Sequence, residues 1–301
     1  MASTARSQES SLPSGWTFHH LPCTSVDVTD ELSVLRGAFD EDGFICLSSV
    51  FDTVTVNRLR EAATTNFDEC FRRLHECGHT NFPQYCQEQD GRHEYALKVG
   101  IKAGFREIVM RSPGRFEMPY GCNKSPFADD DIVRNKDLLQ VVCALLSDDK
   151  NIRHQDSADD SFYLCNASIV TATPGSANQG WHADGGHINL QSHEPCHCFN
   201  VFIPLVDVSL PLGPTELRPG SHKITRNLAP MMLAAKARGT LRKPVMPLLR
   251  AGDALIFDYR VLHRGRANIT KESDRPILVM TFAKSGFKDR LNFPSKSIDD
   301  R

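Results

Sequence analysis

The sequence predicts a mainly β protein, a sandwich or closed jelly roll, with helices placed ahead of it as support. Helical periodicity is confined to the first half of the chain. The second half is a series of short apolar runs punctuated by Gly, Pro and Asp. Many short strands of this kind suit a double-sheet closure, which leaves no long unpaired edge. At 301 residues, 40% of them hydrophobic, the chain can bury one large core. The expected organisation is a polar tail over residues 1–18 and a single domain over 19–301, with helical support over 29–150 and the β core over 160–285.

Taken in order, the Ser-rich segment 1–18 has too little apolar character to pack. Asp30–Phe39 reads as a helix capped by Thr29 or Asp30, and Gly43–Leu47 as a short strand. Asp52–Leu74 reads as a long amphipathic helix with Val54, Leu59, Ala62, Ala63 and Phe67 turned inward. Between Asn81 and Pro126, glycines and prolines break the pattern into loops and short elements carrying Lys98, Lys102, Arg106, Arg111 and Arg115. Charges spaced this way commonly form a solvated face; Arg115 and Tyr120 are the candidates for the substrate side. Asp130–Leu146 is expected as one helix. Strands follow at Ser161–Thr173, Cys198–Val206, Thr215–Leu217, Pro244–Leu248, Ala254–Phe257 and Ile277–Phe282, with a short inserted helix at Met231–Arg238.

The 35 basic and 37 acidic residues leave a formal charge of −2 with no long block of either sign, which argues against a nucleic-acid or membrane-surface partner. No run approaches the roughly 20 apolar residues of a membrane span. The expected partner is a small molecule; monomer and homodimer both remain open. Ten cysteines without an apolar leader segment are expected as reduced thiols in the cytoplasm. Neither His75/Cys77/His79 nor Cys196/His197/Cys198 has the paired spacing of a four-ligand zinc site.

The chemistry concentrates in Gln179–Leu190, QGWHADGGHINL. In a strand, residues two apart share a face, so His182 and Asp184 can close on one ion. A third ligand must return from far along the chain, and His263 in FDYRVLHRG is the candidate. Two imidazoles and a carboxylate leave open positions on an octahedral metal, the arrangement of non-haem Fe(II) oxygenases. Arg275 follows the turn-rich stretch NITKESD. A hairpin centred on residue 269 would set Arg275 directly opposite His263, where its planar fork can hold the far carboxylate of a dicarboxylic acid. Gln179 lies within reach of substrate or of a ligand's second ring nitrogen. Asn166 and Asn200 alternate with strand neighbours so as to point inward, where either is satisfied by backbone or faces a bound acid. His187, at the wrong spacing for the shared face, and His222, in a Gly-Ser-His turn, are read as non-ligands.

Several blocks in order resemble the phytanoyl-CoA dioxygenase family of Fe(II)/2-oxoglutarate oxygenases. They are EDGFICLSSVFDTVTVNRLR, WHADG, NVFIPLVD, GPTELRPGSHK, AGDALIFDYRVLHRG and the terminal N-x-T…R stretch. The resemblance implies a double-stranded β-helix with N-terminal helices packed on it. It assigns Fe(II) to His182, Asp184 and His263, 2-oxoglutarate to Arg275, and places Asn166 and Asn200 where co-substrate contacts are frequent. It implies a dioxygenase that consumes O2 and 2-oxoglutarate, releases succinate and CO2, and hydroxylates an unactivated C–H bond of a small molecule. One position departs from the pattern: the family usually has Ser or Thr two residues past the distal His, and this chain has Gly265. Two rival readings use the same scaffold. A metal-dependent cupin-type hydrolase or isomerase would share the ligands but has no use for Arg275, and a non-catalytic binding protein would need neither.

Overall fold

The computed structural model describes residues 30–79, 104–119, 125–146, 162–226, 233–234, 236–284, 287, 294 and 296–300. Helix α1 (Asp30–Asp42) leads into strand β1 (Phe44–Leu47), and α2 (Thr53–Glu76) follows. Asp52 caps α2 by accepting from the Thr55 backbone N–H at 2.8 Å, a contact of a kind worth about 1 kcal/mol. Among the residues expected on its inner face, Leu59 and Ala63 are buried whereas Val54 is 76% exposed. Val54 lies in the first turn, before the helix reaches the sheet.

The short elements expected between Asn81 and Pro126 include β2 (Gly104–Phe105), β3 (Ile108–Ser112) and β4 (Arg115–Pro119), the last two joined through Pro113–Gly114. These strands are short, and their charged residues Arg111, Arg115 and Glu117 obscure the alternation. Residues 130–146 form two helices, α3 (Asp130–Val133) and α4 (Lys136–Leu146). The break falls at Asn135, whose side-chain oxygen accepts from Leu138 N at 3.0 Å and so caps the second helix.

Strands β5 (Phe162–Ala172), β6 (Cys198–Pro204), β7 (Thr215–Leu217), β8 (Ala254–Asp258), β9 (His263–Gly265) and β10 (Arg275–Lys284) complete the core. The major sheet is antiparallel with order β1-β8-β6-β10-β5-β4-β3-β2; β7 and β9 form a minor sheet. Single bridges extend the minor sheet on both sides, His182 to His263 and Leu217 to Val245. Pro244–Leu248 is thus a bridge at Val245 and no longer strand, since Pro244 and Pro247 offer no backbone donor.

Alternation along β10 explains the two faces. Leu278, Met280 and Phe282 join the cluster that α1, α2 and α4 cover, with Leu35, Phe39, Leu59, Val142 and Leu145. On the other face Phe44, Phe202, Leu255 and Phe257 meet Leu217 and Val245 of the minor sheet. The fold is a double-stranded β-helix whose major sheet is backed by helices. Among the described residues no helix is long and apolar enough to cross a membrane.

The predicted hairpin between His263 and Arg275 does not form. His263 pairs with Leu217 and His182 in the minor sheet, whereas Arg275 pairs with Ala172 in the major sheet. The turn-rich stretch is a crossing between sheets. Asn268, fully buried, anchors it by donating to Ala172 O at 3.0 Å and Ser273 O at 2.7 Å and accepting from Thr270 N at 3.1 Å.

Candidate metal centre

The antiparallel bridge that joins residue 182 to β9 puts two imidazoles side by side on the inner face of the minor sheet, with ring centroids 4.3 Å apart. His182 Nε2 lies 3.6 Å from Asp184 Oδ1, and His263 Nε2 lies 3.5 Å from Asp184 Oδ2. Cis ligands at bonds of about 2.1 Å stand about 3 Å apart, so small adjustments close this set on one ion. Each Nδ1 faces a backbone carbonyl: Gly180 O at 2.9 Å for His182 and Val261 O at 3.0 Å for His263. A carbonyl only accepts, so each Nδ1 carries the proton and each Nε2 presents its lone pair towards Asp184. Burial, and then the neighbouring His263, push the His182 pKa down to about 4, which keeps the ring neutral. Among the described residues this is the one group of three His, Cys, Asp or Glu side chains arranged to hold a metal.

Asp184 is oriented from the major sheet. Asn200 donates Nδ2–H to Asp184 Oδ2 at 2.6 Å, and the Thr281 hydroxyl donates to Asn200 Oδ1 at 2.6 Å. The hydroxyl settles which way round the amide lies. Asn200 was expected to face a bound acid or backbone; here it holds the carboxylate ligand. Asn166 pairs with Thr281 across the strands, on the same inner face. Thr281 went unnoticed in the sequence, although a lone hydroxyl within the apolar run ILVMTF was its signal.

Arg275 and Arg115 face this interior together. Each pairs with Ala172, Arg275 from β10 and Arg115 from β4, so all three side chains share one face. Arg275 donates to the Gly213 carbonyl. Arg115 donates to Arg266 O at 2.7 Å and has Ala177 O and Ser112 Oγ at 3.4 Å. Both guanidiniums are buried, at 2% and 1% exposure, both Nε atoms are buried without a partner, and neither has a carboxylate among the described residues. The acid two positions along β4, Glu117, is already held by Arg111 at 2.5 Å and by Ser168 at 2.7 Å. Burial pushes Arg275 down to about 10; burial and then Arg275 hold Arg115 well below the ordinary guanidinium range. Two buried like charges with no acid partner among the described residues are costly, and an anion between them would offset that cost.

Gly265 explains its own departure from the expected hydroxyl. A Cβ there would lie 2.6 Å from Arg115 Cζ and 2.8 Å from Gln179 Oε1. Gln179 Oε1 accepts from Gly265 N at 2.9 Å; it does not reach His182, whose Nδ1 Gly180 holds. Arg115 thus stands beside Arg275, while Tyr120, Lys98 and Lys102 lie outside the described residues. His187 bonds Thr225 Oγ1 at 2.8 Å and His222 bonds Asp40 O at 3.2 Å, both away from the cluster. Cys196 donates to Cys198 O at 3.3 Å, and Cys77 contacts Asp299.

A cupin-like jelly roll with a two-histidine, one-carboxylate cluster inside defines the class of protein to which this chain conforms. The chain belongs to the phytanoyl-CoA dioxygenase (PhyH) family, whose model matches residues 39–277. A curated relative, Dioxygenase hkm4 of Aspergillus hancockii, is 24% identical over 159 residues; the match takes in 50% of this chain and 45% of that protein. Among solved structures, HygX from Streptomyces hygroscopicus, with nickel, 2-oxoglutarate and hygromycin B bound, aligns with a TM-score of 0.55 at 17% identity, covering 91% of this chain and 97% of that one. AviO1 from Streptomyces viridochromogenes aligns with a TM-score of 0.54 at 18% identity, covering 88% and 99%. SnoK, a non-heme alpha ketoglutarate dependent carbocyclase from nogalamycin biosynthesis, gives 0.54 at 17% identity, covering 87% of each chain.

Proposed function

We propose that this chain is an Fe(II)- and 2-oxoglutarate-dependent dioxygenase that hydroxylates an unactivated C–H bond of a small molecule, with release of succinate and CO2. One observation carries the reading: a cluster of two histidines and a carboxylate shares the barrel interior with two buried arginines that have no acid partner among the described residues. His182, Asp184 and His263 would hold Fe(II) and leave positions open for the co-substrate and O2. Iron bound there supplies the oxidative chemistry, coupled to loss of CO2 from the oxo acid. Arg275 would take the far carboxylate of 2-oxoglutarate in its planar fork, and Arg115 adds a second positive charge at that end. Asn200 and Thr281 keep Asp184 turned towards the metal. A 2-oxoglutarate-bound structural relative, HygX, supports the co-substrate assignment.

The substrate is proposed only as a small molecule, and a reducing compartment such as the cytoplasm suits the free thiols Cys46, Cys77, Cys165 and Cys196. The test is succinate formation by purified protein under air. It should require both Fe(II) and 2-oxoglutarate. A hydrolase or isomerase on the same ligands would form no succinate, and that result with Fe(II), 2-oxoglutarate and air all present would displace the proposal.

A further inference from the structure

We propose that Trp181 is a positioning residue: gripped by Arg218 and Arg264 on the outer face of the minor sheet, it sets the separation of the two imidazoles His182 and His263. The inference rests on the reading that these histidines hold a metal.

The segment carrying His182 is tied to β9 by His182 N to His263 O at 3.0 Å and His263 N to His182 O at 2.8 Å, and three residues earlier by Gln179, whose N donates to Gly265 O at 2.9 Å and whose Oε1 accepts from Gly265 N at 2.9 Å. Hydrogen bonds of this kind contribute about 0.5–1.5 kcal/mol each, and they fix the backbones of the two segments while leaving the outer face of the His182 segment to its side-chain contacts. The same register sets Trp181 opposite Arg264, and alternation turns both side chains to the outer face, directly behind the ligands. Arg264 Cζ lies 4.8 Å from the centroid of the Trp181 ring and Arg218 Cζ lies 4.6 Å from it. Tryptophan is the ring best suited to such cations.

The two arginines are themselves fixed to the β7–β9 ladder. Arg264 Nε donates to Glu216 Oε2 at 2.7 Å, and Glu216, 3% exposed, also receives Arg266 Nη1 at 3.2 Å. The Arg218 backbone N donates to Leu262 O at 2.9 Å, next to His263, and its guanidinium donates to Arg242 O at 3.3 Å. Trp181 therefore docks the first ligand strand onto a rigid ladder that carries the second ligand. The two arginine contacts of Trp181 lie on the face away from the metal side, so their effect passes through the spacing of the histidines.

The experiment is isothermal titration of the metal-free full chain with Co(II), beside its thermal melting. Trp181→Leu should weaken Co(II) binding roughly ten- to hundredfold, the range seen when supports behind metal ligands are removed, with the metal-free protein still folded. Trp181→Phe, which keeps a ring for the arginines, should recover most of the affinity. If Trp181→Leu does not fold, Glu216→Gln, which frees Arg264, is titrated in its place and should weaken Co(II) binding in the same direction. Native Co(II) affinity in the folded Leu variant, or in the Gln variant where Leu fails, overturns the proposal, as does an equal loss in Trp181→Phe and Trp181→Leu. His263→Ala is the control: if it keeps Co(II) affinity, the metal-site reading itself falls, whatever Trp181 does.

Discussion

Arg115 and Arg275 stand on either side of Ala172 in one cross-strand row, both pointing into the barrel and both without a carboxylate among the described residues. The small side chain between them leaves room where two positive charges converge. Arg275→Ala should keep its metal but raise the apparent KM for 2-oxoglutarate by about tenfold or more, since losing a buried charge-assisted partner costs on the order of 2–5 kcal/mol. Arg275→Lys should recover part of that, because an ammonium has no bidentate fork. Steady-state kinetics in 2-oxoglutarate check both; an unchanged KM in the Ala variant would pass the anchoring role to Arg115.

Gly265→Ser restores the hydroxyl common in the family and should nonetheless be harmful here. The added Cβ meets the Arg115 guanidinium at 2.6 Å, and overpacking of this kind costs about 1–3 kcal/mol. Urea denaturation should show the loss, with weaker 2-oxoglutarate binding alongside it. Native stability and native KM together would mean that Arg115 moves aside freely.

Asn200→Leu removes the donor that orients Asp184 and leaves the Thr281 hydroxyl without its acceptor. Metal affinity should fall roughly ten- to hundredfold, measured by competition with a chromogenic chelator. Thr281→Val should act in the same direction with a smaller effect, because Asn200 remains but is free to turn.

Acid should weaken the fold through buried histidines outside the metal site. Burial, then Arg260, pushes His197 down to about 4, and burial likewise takes His222 to about 4. Unfolded, each takes up a proton near pH 6.5. Between pH 6.5 and 4 the unfolded chain binds protons that the folded chain refuses, so stability is intact above that window and declines through it as pH falls. His197 packs against Phe287 with neither ring nitrogen bonded among the described residues. His197→Phe should flatten the decline, raising the urea midpoint at pH 5 more than at pH 8. An equal gain at both pH values would locate the acid sensitivity elsewhere.

The helices and most long strands were legible because their periodicity is local: α2 needs its inward stripe and a capping Asp52, and β10 needs only ILVMTF between Arg275 and a polar end. The His182–Asp184 half of the cluster was legible for a different reason, since His-x-Asp encodes a shared face within three residues, whereas His263 joins it only through the bridge to residue 182. The symmetric hairpin about residue 269 failed because sequence neighbours in a jelly roll go to opposite sheets, and only the buried Asn268 marks the crossing. Gly265 and Arg115 were read separately, as a missing hydroxyl and as a substrate-side candidate; their meeting is a long-range contact that spacing does not encode. Likewise Thr281 acquires a role only when β6 and β10 pair and bring Asn200 to Asp184.

The most direct test of the central claim is an anaerobic titration of the metal-free protein with Fe(II) and then 2-oxoglutarate, followed by visible absorption. One equivalent of Fe(II) should bind, and 2-oxoglutarate should then produce the charge-transfer colour of an iron-chelated 2-oxo acid. His182→Ala, Asp184→Ala and His263→Ala should each lose it, while His187→Ala, Cys196→Ser and Cys198→Ser keep it. A full-strength band in any of the first three would remove that residue from the metal shell, and no band in the native protein would contradict the account.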